Sequence, residues 1–178
     1  MKRLLVSLLA LLSTFITADL YAYNHNRPQI VTITLGEGYE FFSSTRNLQN
    51  TNIPNLELAY NFNEKLAFEF LFGRILTELK GSKQDVRGYL YLLDGLYRFH
   101  PCHLFQPYLL AGLGVTSLKP NGNDAVNQVG FNAGVGTQFF IDKSIAFRLD
   151  IRDIYTFVGG KNDVLLNAGI SFLIAGVN

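Results

Sequence analysis

The sequence predicts an all-β fold: an eight-stranded antiparallel up-and-down transmembrane β-barrel. Three observations predict it. Eight segments alternate in character with the two-residue period of a strand. The connections between them run long, then short, then long again. Charged side chains gather on one face of the segments, while aromatic and aliphatic ones fill the other.

The segments follow in order. Gln29–Phe41 sets Val31, Ile33 and Leu35 against Thr32, Thr34, Gly36 and Gly38. Asn55–Phe62 sets Leu56, Leu58, Tyr60 and Phe62 against Glu57, Ala59 and Asn61. Leu66–Leu76 sets Leu66, Phe68, Phe70 and Phe72 against Ala67, Glu69, Leu71 and Gly73. Val86–Phe99 carries Tyr89, Tyr91, Leu93, Tyr97 and Phe99 on one side, with Asp94 and Arg98 on the other. Phe105–Thr116 is apolar on both sides; Leu109, Ala111, Leu113 and Val115 are assigned outward, Gly112 and Gly114 inward. Asn127–Phe140 sets Val129, Phe131, Ala133, Val135 and Phe139 against Gly130, Asn132, Gly134, Gly136 and Gln138. Ser144–Phe157 sets Ile145, Phe147, Leu149 and Ile151 against Ala146, Arg148, Asp150 and Arg152. Val164–Ile174 sets Leu166, Ala168, Ile170, Phe172 and Ile174 against Asn167, Gly169 and Ser171. The long connections are Ser43–Ile53, Thr77–Asp85, Ser117–Ala125 and Val158–Asp163. The short ones are Asn63–Lys65, His100–Leu104 and Ile141–Lys143.

Residues 1–22 read as a secretory signal. Lys2 and Arg3 precede an apolar stretch, Leu4–Ile16, too short to span a bilayer comfortably, and Leu20-Tyr21-Ala22 offers a cleavage site after Ala22. Residues 23–178 then form one domain, the barrel. A formal net charge of +1 gives no electrostatic case for nucleic acid. The single Cys, Cys102, excludes an internal disulfide. Beyond residue 22 no run approaches 18 unbroken apolar residues, so a helical span is not expected.

Charge placement decides which face is wet. A soluble lipocalin-like barrel is polar outside and apolar inside. The chain carries 15 Phe and 9 Tyr, and the face on which most of them gather could not fit inside an eight-stranded barrel, whose interior holds only its own side chains. The aromatic face is therefore assigned to lipid, with aromatic girdles near the strand ends, and the Gly-rich, charged face to the lumen. Glu57, Glu69, Asp94, Arg98, Arg148, Asp150 and Arg152 are expected to form an interior ionic network, with Glu69 and Arg148 meeting across the lumen. An even strand count returns both termini to one side, expected to be the periplasm of an outer membrane.

Gly95-Leu96-Tyr97-Arg98-Phe99, Pro107-Tyr108-Leu109-Leu110-Ala111-Gly112-Leu113-Gly114, Phe131-Asn132-Ala133-Gly134-Val135-Gly136 and Ala146-Phe147-Arg148-Leu149-Asp150-Ile151-Arg152 resemble the OmpA-type eight-stranded outer-membrane barrel family. Asn167-x-Gly169-x-x-Phe172-x-Ile174 resembles the C-terminal signal read by the barrel-assembly machinery. The resemblance covers the barrel domain and implies assembly by that machinery, a monomer, and surroundings of outer-membrane lipid and lipopolysaccharide. The wall-binding role of longer relatives is not carried over.

Gly112-Leu113-Gly114 and Gly134-Val135-Gly136 lack the rest of a phosphate-binding loop. His100-Pro101-Cys102-His103 matches no standard zinc spacing. No metal, cofactor or catalytic residue is assigned. No His-x-Ser stands where a lipid-modifying enzyme would need it. The expected role is structural or surface-interacting, with the long connections as the contact surface. A narrow gated porin-like pore is the alternative, a lipid-modifying enzyme the next, and a soluble binder the last.

Overall fold

Once every strand pairs on both edges, a sheet with one apolar and one polar face can sit in lipid without leaving a backbone group unsatisfied. This chain reaches that state. A computed structural model describes residues 28–82, 84–99, 101, 103–122 and 124–174. The expected signal peptide lies outside the described residues, as do His100 and Cys102. The strands are β1 (Val31–Phe41), β2 (Thr51–Asn61), β3 (Leu66–Glu78), β4 (Asp85–Arg98), β5 (Phe105–Pro120), β6 (Val126–Asp142), β7 (Ile145–Thr156) and β8 (Lys161–Ile174). Each pairs antiparallel with the next, and β8 pairs with β1 to close the barrel.

The register fixes the barrel's geometry. Paired residues can be followed once around: Val31, Tyr60, Phe68, Gly95, Ala111, Ala133, Asp153, Val164, and back to β1 at Phe41. The path returns 10 residues up the strand it left, a shear number of 10. Eight strands at that stagger tilt by roughly 40°.

Burial alternates along every strand in the expected phase, including β5, where Leu109, Ala111 and Leu113 face out while Tyr108 and Leu110 face in. Two aromatic belts ring the outside. Phe62 packs edge-on against Phe68 at 5.0 Å and Tyr97 against Phe99 at 5.3 Å at the lower end. Phe72 stacks on Tyr89 at 5.7 Å and Phe131 lies 5.3 Å from Tyr155 at the upper end. Phe140, near the lower end of β6, stays out of the belt: it points inward and is buried against Ala146 and Leu173.

The strands overshoot their expected ends on the upper side. β2 starts at Thr51 rather than Asn55, β5 runs on to Pro120, and β8 starts at Lys161. The upper connections shrink to residues 42–50, 79–84, 121–125 and 157–160, against 62–65, 99–104 and 143–144 below. Beyond the aromatic belt the outward positions no longer need to be apolar, so the hydrophobic alternation stops while the hydrogen-bond ladder continues. The long-and-short rhythm is thus partly strand overshoot: 99–104 is as long as 79–84. The upper tips turn on left-handed glycines, Gly81 at φ 90° and Gly122 at φ 82°.

Candidate functional site

Inward positions on β7 recur at every second residue, so Arg148, Asp150 and Arg152 form one column with charges plus, minus, plus. Carboxylates from the facing strands converge on that column. Arg148 makes a fork-to-fork contact with Glu69: its Nη2 donates to Oε1 at 2.9 Å and its Nη1 to Oε2. The same Nη1 lies 2.8 Å from Glu57 Oε2, and Nε donates to Asp150 Oδ2 at 3.0 Å. Arg152 donates from Nε to Asp150 Oδ1 at 2.7 Å, from Nη1 to Asp94 Oδ2 at 2.7 Å, and from Nη2 to Glu69 Oε1 at 3.0 Å.

Neutral side chains outside the expected ionic network complete the lattice. Asn132 donates to Asp94 at 2.7 Å, Asn167 to Glu57 at 2.6 Å, and Tyr108 to Asp150 at 3.0 Å. The Arg148 guanidinium also sits 4.9 Å from the centre of the Tyr108 ring. Glycines make the room: a Cβ on Gly112 would strike the Asp94 carboxylate, and one on Gly136 would strike the Tyr108 ring.

Arg98 departs from expectation. It is buried, but it joins no ion pair among the described residues, and its Nε and Nη1 have no hydrogen-bond partner there. It projects from β4 below the lattice, four residues from Asp94, and the carboxylates are already engaged by the two arginines of β7. In the same lower stretch of lumen, polar atoms of Thr32, Asn61 and Gln138 also lack partners. Below them Phe140, Ala146 and Leu173, with Ile30 and Leu104, close the lumen. The Gln106 amide donates to the carbonyls of Pro101 at 2.7 Å and His103 at 2.9 Å, holding the 99–104 turn beneath.

Above the lattice, although Glu40 and Thr116 are buried beside Leu165 and Leu90, the lumen is mainly apolar. Leu71, Ile75, Leu90, Leu92, Ile154 and Leu165 fill it, with Phe42 and Leu48 from the first upper connection packed against them. A second polar site caps this plug. Arg46, at the end of the one-turn 3₁₀ helix Ser44–Arg46, is buried. Its Nε donates to both oxygens of Asp163 at 2.9 and 2.6 Å, its Nη1 to Gln128 at 2.5 Å, and its Nη2 to Thr156 at 2.6 Å. Ser43 N–H donates to Asp163 at 2.9 Å. Sequence alone placed Arg46 in a solvent-facing loop, because no periodic pattern runs through residues 42–50.

The outer face is less free of charge than the sequence suggested. Glu37, Arg74, Arg87, Lys119 and Asp153 all point out and are exposed. Glu37 lies one outward position below Tyr39, beside Pro54 and Ala168, within the apolar band. A lipid-facing carboxylate there is unfavourable. Glu37→Leu should therefore raise the unfolding free energy in bilayers by about 1 kcal/mol, read from the urea midpoint.

The model for the "Outer membrane protein beta-barrel domain" family matches residues 7–173. The chain belongs to that family. As an outer-membrane barrel it is similar in fold to OprG from Pseudomonas aeruginosa, with a TM-score of 0.62 and 12% identity over 86% of this chain and 99% of that one. Neisserial surface protein A (NspA) gives 0.61 and 18%, over 80% of this chain and 95% of that one. Ail, the attachment invasion locus protein of Yersinia pestis, gives 0.56 and 15%, over 83% and 99%. No curated protein matches. The outer-membrane barrel thus has the wall of its family and a lumen filled, from bottom to top, by an apolar floor, a polar layer, an ionic lattice, an apolar plug and an arginine cap.

Proposed function

We propose that this outer-membrane barrel is a sealed scaffold with a structural or surface-interaction role, not a pore and not an enzyme. The carrying observation is the apolar plug of Leu71, Ile75, Leu90, Leu92, Ile154 and Leu165 above the ionic lattice. An ion would have to leave its hydration shell and cross that layer, which is unfavourable by many times the thermal energy. The gated-pore alternative needs the plug to move, yet it is made of strand residues held in the barrel wall. Planar-bilayer recording of the folded protein should show no conductance steps. Reproducible steps of one amplitude would sink the sealed reading.

In this reading the connections 42–50, 79–84, 121–125 and 157–160 face the outside and both termini lie in the periplasm. The overshoot of the strands at that end supports it, since strands end flush with the aromatic belt at the other. Loops held by a rigid wall are where contacts with other molecules are made. The names of NspA and Ail, a surface protein and an attachment protein, accord with such a role. Single cysteines placed at Ser82 and Asn121, in a Cys102→Ser background, should react with a membrane-impermeant thiol reagent on intact cells. A cysteine at Glu64 should not react; the opposite pattern would invert the topology. Unaltered lipid A mass spectra on overexpression would fit the non-enzymatic reading, and a new lipid species would overturn it.

The residues Asn167, Gly169, Phe172 and Ile174 are read as the assembly signal. Phe172 and Ile174 face outward, and Asn167 and Gly169 face inward on the strand that closes the barrel.

A further inference from the structure

Three of the outward charges are neighbours. Arg87 on β4 pairs directly with Lys119 on β5, and Leu76, two residues beyond Arg74 on β3, pairs with Arg87. Arg74 is therefore the diagonal neighbour of Arg87, and all three side chains are exposed on one face. Like charges directly opposite on a sheet are destabilising. Two carboxylates, Glu78 and Asp85, stand one outward position beyond the Leu76–Arg87 pair on β3 and β4, yet among the described residues none of the three cations makes an ion pair, whereas the buried arginines of the lattice each make several. A hollow of about 300 Å³ opens beside Arg87 and Lys119, lined also by Asp85, Pro120, Asn121 and Gly122.

The surroundings say what could fill it. Below the cations lies an aromatic shelf, Phe72 stacked on Tyr89 and tilted against Tyr91 at 5.4 Å. A ligand seated here has apolar chains on that shelf and an anionic group at the level where the aromatic belt ends. Two guanidiniums and an ammonium suit a phosphate better than a carboxylate, because phosphate offers several oxygens to forked donors. We propose that Arg74, Arg87 and Lys119 bind a phosphate of an outer-leaflet glycolipid, the phosphorylated lipid A part of lipopolysaccharide. Asp85 stands two residues further from the belt on the same face as Arg87 and opposes the anion. The site rests on the reading that the upper end faces outward.

Native mass spectrometry of the folded barrel in phosphatidylcholine nanodiscs tests it. The probes are bis-phosphorylated lipid A, the same lipid stripped of both phosphates, and phosphatidylglycerol. Wild type should retain one lipid A saturably and the stripped lipid far more weakly. Each of Arg74→Gln, Arg87→Gln and Lys119→Gln should weaken binding about fivefold, and the triple variant about a hundredfold. Asp85→Asn should tighten it. These exposed substitutions leave the lumen intact, so heat-modifiable gel migration serves as the folding control. Equal retention of stripped lipid A, equal retention of phosphatidylglycerol, or an unchanged triple variant would overturn the site. Nanodisc binding does not depend on orientation, which the cell-surface labelling decides separately. Site and topology therefore fail independently.

Discussion

Replacing Arg148 by alanine should cost the barrel about 3–5 kcal/mol, the range found when one partner of a buried ion pair is removed. The loss should read out as a large drop in the urea midpoint of the heat-modifiable species. The cause lies in what is left behind. Arg148 pairs with Glu57, Glu69 and Asp150 at once, and all three are buried. Without it Arg152 alone faces four carboxylates, those three and Asp94. The double change Arg148→Met with Glu69→Leu should recover much of the loss, because it removes opposite charges together and refills the volume. If Arg148→Ala unfolded at the wild-type midpoint, the lattice would be ornamental.

Gly169→Val should abolish the folded species altogether. Gly169 pairs with Gly36 across the β8–β1 seam. A Cβ there would come 2.7 Å from Thr34 Cγ2 and 2.9 Å from the carbonyl oxygen of Leu35. The second contact is with backbone, which cannot swing aside, so a branched side chain blocks the closing step. The glycine of the proposed assembly signal thus has a steric duty in the finished barrel. To separate the two, a Gly169→Ala variant should be refolded from urea into detergent, where no assembly machinery is present. Wild-type refolding rates there would refute the steric account.

Strand identity and facing were legible because lipid imposes one rule on every outward position and the narrow lumen imposes another. Glu69 and Arg148 could be matched from sequence because they sit at similar depths on opposite strands, β3 and β7. Arg98 could not be placed, since alternation gives the face but not the depth. Depth depends on the stagger between strands, which no single strand encodes. Arg46 was illegible for a different reason. Its burial comes from a non-repeating connection folding back into the barrel mouth, and its partners Asp163, Gln128 and Thr156 belong to three separate strands. The outward cations were missed because apolar neighbours such as Leu76 and Tyr89 dominate the pattern around them.

The plus-minus-plus column of β7 has a consequence for assembly. Sliding a strand by one residue turns every side chain to the wrong medium, so lipid itself forbids that error. Sliding by two does not: aromatics still meet lipid, glycines still face inward, and the ladder re-forms. Alternation is therefore degenerate to even-numbered slips, and a barrel with two more or two fewer residues of stagger would look equally good to the membrane. The lattice lifts that degeneracy. A two-residue slip of β7 against β8 would pair Asn167 with Arg148 or Arg152 instead of Asp150, and would pull the column out of step with Glu69 and Asp94. The charges in the lumen act as a vernier, reading off the one stagger among the lipid-compatible ones at which plus meets minus at every tooth.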